Sequence, residues 1–170
     1  MDLGAGDAVP ANPGNLPQKL PCDPRLAAQS GETAMHMPAD LLSAIVTILA
    51  IILYFYMGIR VAQMRGKHKI DAPAMTGAPE FERAVRVHYN TLEAIVVFLP
   101  LLWLATIYFR TLGWLPAAFG LLWVVGRVFY MTGYMEAPEK RSTGFLISAV
   151  AQLSLLLLAL YGIVAAYLTL

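Results

Sequence analysis

LLSAIVTILAIILYFYMGI, residues 41–59, decides the fold, because 19 successive residues carry no charged side chain. A helix of about 20 apolar residues crosses the roughly 30 Å of hydrocarbon in a bilayer. Residues 142–170 form a second run of this kind, 29 residues long without a charge. The chain is therefore predicted to be an integral membrane protein.

Two further apolar stretches lie between these runs, and Gly, Pro and charged residues separate them. The pattern predicts an all-α fold, an up-and-down bundle of four membrane helices in a domain of residues 39–170. The helices are expected at about residues 40–64, 80–109, 113–135 and 141–169. Residues 1–38 hold six of the eleven prolines, which predicts a disordered Pro-rich tail. Met35 or Met37 is an alternative start of translation.

The composition excludes several classes of partner. With 58% hydrophobic and only 14% charged residues, the apolar excess requires a lipid membrane. A net charge of +1, spread over loops, argues against nucleic acid. Cys22 is the single cysteine of the chain, and the three histidines lack ligand spacing. Neither a disulfide framework nor a metal site is expected.

Basic residues in two of the loops set the expected orientation. The first loop and the loop near residue 140 carry Arg65, Lys67, Lys69, Lys140 and Arg141. Cytoplasmic loops of membrane proteins are enriched in Lys and Arg. Both loops are therefore expected in the cytoplasm, with both termini on the opposite side of the membrane.

Polar side chains inside the spans form two stripes at helical spacing. The stripe on the second helix holds Arg86, Asn90 and Glu93, and the stripe on the third helix holds Arg127, Tyr130 and Tyr134. An ionisable group at the centre of a span costs roughly 2.5–3.5 kcal/mol on insertion scales. Each such group therefore requires a partner or a function.

Two interpretations of the stripes are open. In the first, Arg86 or Arg127 neutralises Glu93, and the ion pair only holds the bundle together. In the second, the arginines outnumber the single carboxylate well inside a span, and the surplus charge binds an external anion. The tyrosines are interface aromatics in the first interpretation and contact the anion in the second.

Two motifs carry a resemblance to a known family. TGAPEFERAVRVHYNTLE, residues 76–93, and GRVFYMTGYMEAPEKRS, residues 126–142, resemble motifs of the membrane-associated proteins in eicosanoid and glutathione metabolism (MAPEG). The nearest branch contains leukotriene C synthase and the type 2 and type 3 microsomal glutathione transferases. The resemblance covers about residues 41–165.

The resemblance implies a homotrimer that binds glutathione as co-substrate between subunits at the cytoplasmic end. A lipophilic electrophile or lipid hydroperoxide would reach the glutathione thiol from the bilayer. By motif position, the implied glutathione contacts are Arg65, Arg86, Asn90, Glu93, Arg127, Tyr130 and Tyr134. Arg141 matches the arginine that stabilises the thiolate, which makes it the implied catalytic residue.

The chain departs from leukotriene C synthase at two positions, where Ala94 replaces a tyrosine and His88 replaces a glutamine. These differences weaken the case for that enzyme's own substrate. His88 points away from the polar stripe and is interpreted as an exposed, loop-side histidine. The rival to a glutathione transferase or peroxidase is a membrane protein that binds and presents a lipid without chemistry. A small structural or transport bundle fits less well, because the polar residues crowd one end of the spans.

Overall fold

Four helices make up the part of the chain that the computed structural model describes, which is the backbone of residues 24–169 and the side chains of residues 39–169. They are α1 (Pro24–Lys67), α2 (Pro79–Tyr108), α3 (Leu115–Glu136) and α4 (Arg141–Leu168). A short 3₁₀ turn, Pro138–Lys140, joins α3 to α4. Each helix contains a stretch long and apolar enough to cross a membrane. The predicted all-α membrane bundle is confirmed.

The first helix differs from its predicted bounds. It begins at Pro24 instead of near residue 40, so the backbone of residues 24–38 is helical where a disordered tail was expected. Four of the six prolines of the tail precede Pro24, and proline is well suited to the first position of a helix. Residues 26–35 are also rich in Ala, Gln, Glu and Met, which favour helix. The prediction for residues 1–23 lies outside the described residues.

The start of α2 is fixed by local sequence. Pro79 occupies its first turn, where backbone N–H groups have no acceptor within the helix, so a residue without an N–H costs no hydrogen bond. Glu80 and Glu82 lie in the same turn, where the helix dipole favours negative charge. Glu82 also accepts a hydrogen bond from the backbone N–H of Gly77 at 2.9 Å. These contacts hold the N-terminal end of α2 at the polar end of the bundle.

The core lies where α2, α3 and α4 meet. The rings of Phe98 and Trp123 stack with centroids 3.9 Å apart, and both side chains are fully buried. Leu102 and Leu155 pack around them from α2 and α4. Outward-facing residues such as Phe55 and Leu157 are more than half exposed. The outer faces thus suit lipid or a neighbouring subunit.

Glycines allow α3 and α4 to approach unusually closely. A Cβ on Gly144 would lie 2.0 Å from the backbone nitrogen of Tyr130, and one on Gly126 would lie 2.7 Å from that of Ser148. Small residues allow close backbone approach between membrane helices. The approach brings the N-terminal end of α4, with Arg141, beside the tyrosines of α3.

α1 packs against the bundle through polar and aromatic contacts. The hydroxyl groups of Ser43 and Thr106 lie 2.7 Å apart in a buried hydrogen bond. His88 stacks on Tyr54 with ring centroids 4.5 Å apart and is only partly exposed. His88 does face away from the polar stripe, but its interpretation as an exposed histidine was wrong, because α1 covers that side of α2.

Candidate active site

A groove of about 670 Å³ runs between α2 and α4, with α3 as its floor. Its polar lining comes from Asn90, Glu93, Arg127, Tyr130, Ser148 and Gln152, and its apolar lining from Ala94, Val97, Leu101, Trp123, Phe145, Ala149, Leu153 and Leu156. The polar residues other than Ser148 and Gln152 lie toward the loop end of the bundle. The groove therefore joins a polar head region to an apolar channel.

A second pocket of about 570 Å³ lies at the polar end of the groove. It is lined by Asn90, Tyr130, Arg141, Ser142, Phe145 and Leu146. The two pockets share Asn90, Tyr130 and Phe145. The two pockets therefore adjoin at these residues, and together they extend from Arg141 into the membrane-spanning region; the pair is called the cleft below.

Arg127 is a buried cation at the floor of the cleft, with only 3% of its surface exposed. Its Nη2 donates to the carbonyl oxygen of Asn90 at 2.7 Å and to the hydroxyl of Thr91 at 2.9 Å. The guanidinium lies 4.5 Å from the ring centroid of Tyr130. Its Nε is buried without a hydrogen-bond partner. Arg127 thus holds α3 to α2 while its charge lacks an anion among the described side chains.

Asn90 orients the phenol of Tyr130. Its Nδ2 donates to the Tyr130 hydroxyl oxygen at 2.6 Å. Because that oxygen accepts from Asn90, the Tyr130 O–H is free to donate to a group in the cleft. The phenol thereby becomes a directed hydrogen-bond donor beside Arg141.

Arg141 lies at the mouth of the cleft and is exposed. Its Nη1 donates to the hydroxyl of Tyr134 at 3.3 Å, and the guanidinium lies 5.2 Å from the centroid of that ring. Tyr134 itself is buried. The ring fixes the position of the cation, while the remaining N–H groups can reach an anion.

The chain was compared with known proteins. Residues 43–161 match the profile of the MAPEG family. Mouse microsomal glutathione S-transferase 2 is 42% identical over 127 residues, 75% of this chain and 85% of the mouse protein. The human protein of the same name is 38% identical over 129 residues, covering 76% and 86%. Guinea pig leukotriene C4 synthase is 36% identical over 127 residues, covering 75% and 83%.

The chain belongs to the MAPEG family. The predicted resemblance is therefore confirmed at the level of the family, and the two motifs that carried it border the cleft. Residues 76–93 supply Asn90 and Glu93 from α2, and residues 126–142 supply Arg127, Tyr130 and Arg141 from α3 and α4.

Glu93 of this MAPEG chain is an exposed carboxylate inside the span of α2. Among the described side chains, the ion pairs are Lys67 with Glu80, His68 with Glu80, and Lys140 with Glu136. Glu93 is in none of them, so the predicted alternative of an ion pair with Arg86 or Arg127 does not form within one chain. Its carboxylate thus has no ion-pair partner among the described side chains.

Arg65 and Arg86 do not line the cleft. Arg65 donates to the carbonyl oxygens of Ile70 and Asp71 at 3.4 and 3.2 Å and lies 4.8 Å from the centroid of the Phe81 ring. It orders the loop between α1 and α2. Arg86 is exposed.

The residues of the channel were not predicted from the sequence. Phe145, Ser148 and Gln152 of α4 and Trp123 of α3 line it, and Trp123 Nε1 donates to Gln152 Oε1 at 3.2 Å. Gln152 could have been found as the amide side chain in the uncharged run of residues 142–170. Within residues 39–169, no group of three or more His, Cys, Asp or Glu residues is placed to hold a metal ion.

Proposed function

We propose that this protein is a membrane-bound glutathione transferase that stabilises the glutathione thiolate for attack on lipophilic electrophiles. One observation carries the proposal, which is that the pocket lined by Arg141 adjoins a groove that continues into an apolar channel. A polar co-substrate at the mouth and a lipid in the channel would meet beside Arg141, Tyr130 and Asn90. The names of the relatives support the same class of reaction.

The polar residues of the cleft fit the chemistry of glutathione. Glutathione carries two carboxylates, an ammonium group and a thiol. Arg127 offers an uncompensated buried cation for a carboxylate, and Glu93 offers an unpaired carboxylate for the ammonium group. Arg141 and the Tyr130 O–H remain for the sulfur.

Arg141 holds negative charge on the sulfur, and Tyr130 donates a hydrogen bond to it. A cation beside a thiol commonly lowers the pKa of the thiol by about 1–3 units from its usual value near 8.5. The sulfur then forms a bond to the electrophilic carbon, and the displaced electron pair stays on the leaving atom, which takes up the proton lost by the thiol. No side-chain nucleophile is required.

Reduction of a lipid hydroperoxide is a second reaction that the same thiolate supports. Two glutathione molecules are then oxidised to one disulfide while the hydroperoxide is reduced to an alcohol and water. The first sulfur takes the outer oxygen of the hydroperoxide, and the alkoxide that leaves needs a proton. A cleft that holds both a lipid and a thiolate serves either reaction.

The test of the function is titration of the purified protein with glutathione, followed by the ultraviolet absorbance of the thiolate. A thiolate signal at neutral pH is expected if the site lowers the pKa of the thiol. The signal would stand out, because only about 3% of free glutathione is ionised at pH 7. A protein that only presents a lipid to a partner needs no such ionisation. Binding of lipid without any thiolate signal would establish that rival function.

We infer that the active form is a homotrimer whose neighbouring subunits complete each site. Arg65 and Arg86 do not line their own cleft, and Glu93, which does line it, is exposed. Wide apolar faces on α1 and α4 are also left exposed. A neighbouring subunit that covers these faces would bring Arg65 or Arg86 to the glutathione carboxylates.

Glu93→Gln should weaken glutathione binding by at least about tenfold, because a hydrogen bond to a charged group contributes about 1.5–3 kcal/mol. Calorimetric titration measures the affinity, and light scattering measures the oligomeric state. Glu136→Gln is the matched control, since Glu136 pairs with Lys140 outside the cleft. If binding is unchanged while the oligomer dissociates, Glu93 pairs with an arginine of another subunit and not with glutathione.

The orientation is also part of the proposal, with the loops before α2 and before α4 in the cytoplasm. A membrane-impermeant thiol reagent should label a cysteine at Gly113 from outside intact cells and should not label one at Gly66. Both variants carry Cys22→Ser so that only the introduced thiol reacts. Labelling at Gly66 alone would show that the mouth of the cleft lies on the outer side of the membrane, where it could not bind cytoplasmic glutathione.

A further inference from the structure

The apolar channel contains the amide side chain of Gln152 deep in the membrane, beyond Ser148, whose hydroxyl donates to the carbonyl oxygen of Gly144 in its own helix. Gln152 lies eleven residues after Arg141 on α4, which places it about 16 Å farther along the helix axis. The span containing α4 runs from Pro138 to Leu168, so Gln152 lies near its middle. A polar group at this depth is costly without a partner, and glutathione at the mouth does not need it.

The amide of Gln152 has a fixed orientation. The indole N–H of Trp123 can only donate, so the atom that receives it at 3.2 Å is the amide oxygen. The indole is itself held by its stack on Phe98. The amide nitrogen of Gln152 therefore points away from Trp123, and no described group accepts a hydrogen bond from it.

The surroundings of the amide define what it can bind. Val97, Leu101 and Leu156 line the channel at this depth and offer no charge. A carboxylate would lose its hydration here without a compensating cation, whereas a hydroxyl or carbonyl oxygen needs only one donor. The free N–H groups of Gln152 thus suit a neutral oxygen atom.

We propose that Gln152 is a specificity-determining residue, selecting lipids that carry a hydroxyl or carbonyl oxygen far along the chain from the electrophilic carbon, at a depth set by about 16 Å of helix axis between Arg141 and Gln152. The inference rests on the proposed function, because that function places the reacting sulfur beside Arg141. Trp123 is the positioning residue that turns the amide donor toward the channel. The substrate class is then a long-chain electrophile that has been oxygenated twice.

The experiment compares two long-chain α,β-unsaturated aldehydes of equal length, one with a hydroxyl group in the part of the chain that would lie at the depth of Gln152, about 16 Å along α4 from Arg141. With full-length protein in lipid nanodiscs, kcat/KM should favour the hydroxylated aldehyde by about tenfold. Gln152→Leu should bring the ratio close to one. Ser154→Ala is the control and should keep the ratio, since Ser154 bonds its own helix outside the channel.

Binding without reaction gives a second readout. The double variant Trp103→Phe, Trp114→Phe keeps Trp123 as the sole tryptophan. Its fluorescence should shift when an unreactive long-chain secondary alcohol binds, but not when the matching alkane binds.

The inference would be overturned by equal kcat/KM values for the two aldehydes together with an unchanged fluorescence. The thiolate signal is measured separately, so the transferase function could still hold in that case. Dissociation of the oligomer by Gln152→Leu would overturn it too, by showing that the amide bonds another subunit. Absence of the thiolate signal would instead reject the transferase itself.

Discussion

The Arg141→Ala variant should turn over substrate about 25-fold more slowly than the unaltered protein at pH 7. It should also lose the thiolate absorbance of bound glutathione. If Arg141 lowers the thiol pKa by about 2 units from 8.5, the ionised fraction at pH 7 rises from about 3% to about 75%. Removal of the cation restores the higher pKa. The loss should therefore shrink to about twofold at pH 8.5, where half of the unassisted thiol is ionised. Initial rates and absorbance measured across this pH range check both statements.

Tyr130→Phe is the matched variant, because the phenol donates to the same sulfur in the proposed site. It keeps the ring that packs on Arg127 and should reduce the thiolate signal less than Arg141→Ala does. Arg60→Ala controls for the loss of a cation elsewhere, since Arg60 bonds Gln63 outside the cleft. Loss of the thiolate in Tyr130→Phe and its retention in Arg141→Ala would reverse the two roles.

The fold could be predicted from the sequence because hydrocarbon imposes a simple rule on it. Every backbone N–H and C=O in lipid must be bonded within the chain, so a long uncharged run becomes a helix. The same rule singled out Arg86, Asn90, Glu93 and Arg127, whose cost inside a span required an explanation. The structure brings Asn90, Glu93 and Arg127 into one groove with Tyr130, whereas Arg86 does not line it.

Contacts between helices could not be predicted in the same way. Helical spacing shows which residues share a face, but it does not show what packs on that face. His88 was placed on the correct side of α2, yet Tyr54 of α1 covers it. Arg127 faces α2, but it bonds the backbone of Asn90 instead of the Glu93 carboxylate. Gln152 was not singled out from the sequence, because its side chain is uncharged and its partner Trp123 lies 29 residues away.

Arg127→Met should separate stability from binding more clearly than any other substitution in the cleft. Arg127 is a buried cation with no anion among the described side chains, and replacement of a buried charge by an apolar side chain of similar length is often neutral or stabilising. Thr91 remains satisfied without it, because its hydroxyl donates to the carbonyl oxygen of Val87 at 2.8 Å. The thermal unfolding temperature of the ligand-free protein should therefore stay the same or rise.

Glutathione affinity of the same variant should fall by about 10- to 100-fold, because a charge-assisted hydrogen bond to a carboxylate is lost. Unfolding in detergent and calorimetric titration of the folded protein measure the two quantities separately. Arg127→Lys is the control, since it keeps the charge and loses the planar fork, and it should retain part of the affinity. If Arg127→Met instead lowers the unfolding temperature by several degrees and leaves the affinity of the folded protein unchanged, Arg127 is only the clamp between α2 and α3. In that case the carboxylates of glutathione must be bound by Arg65 or Arg86.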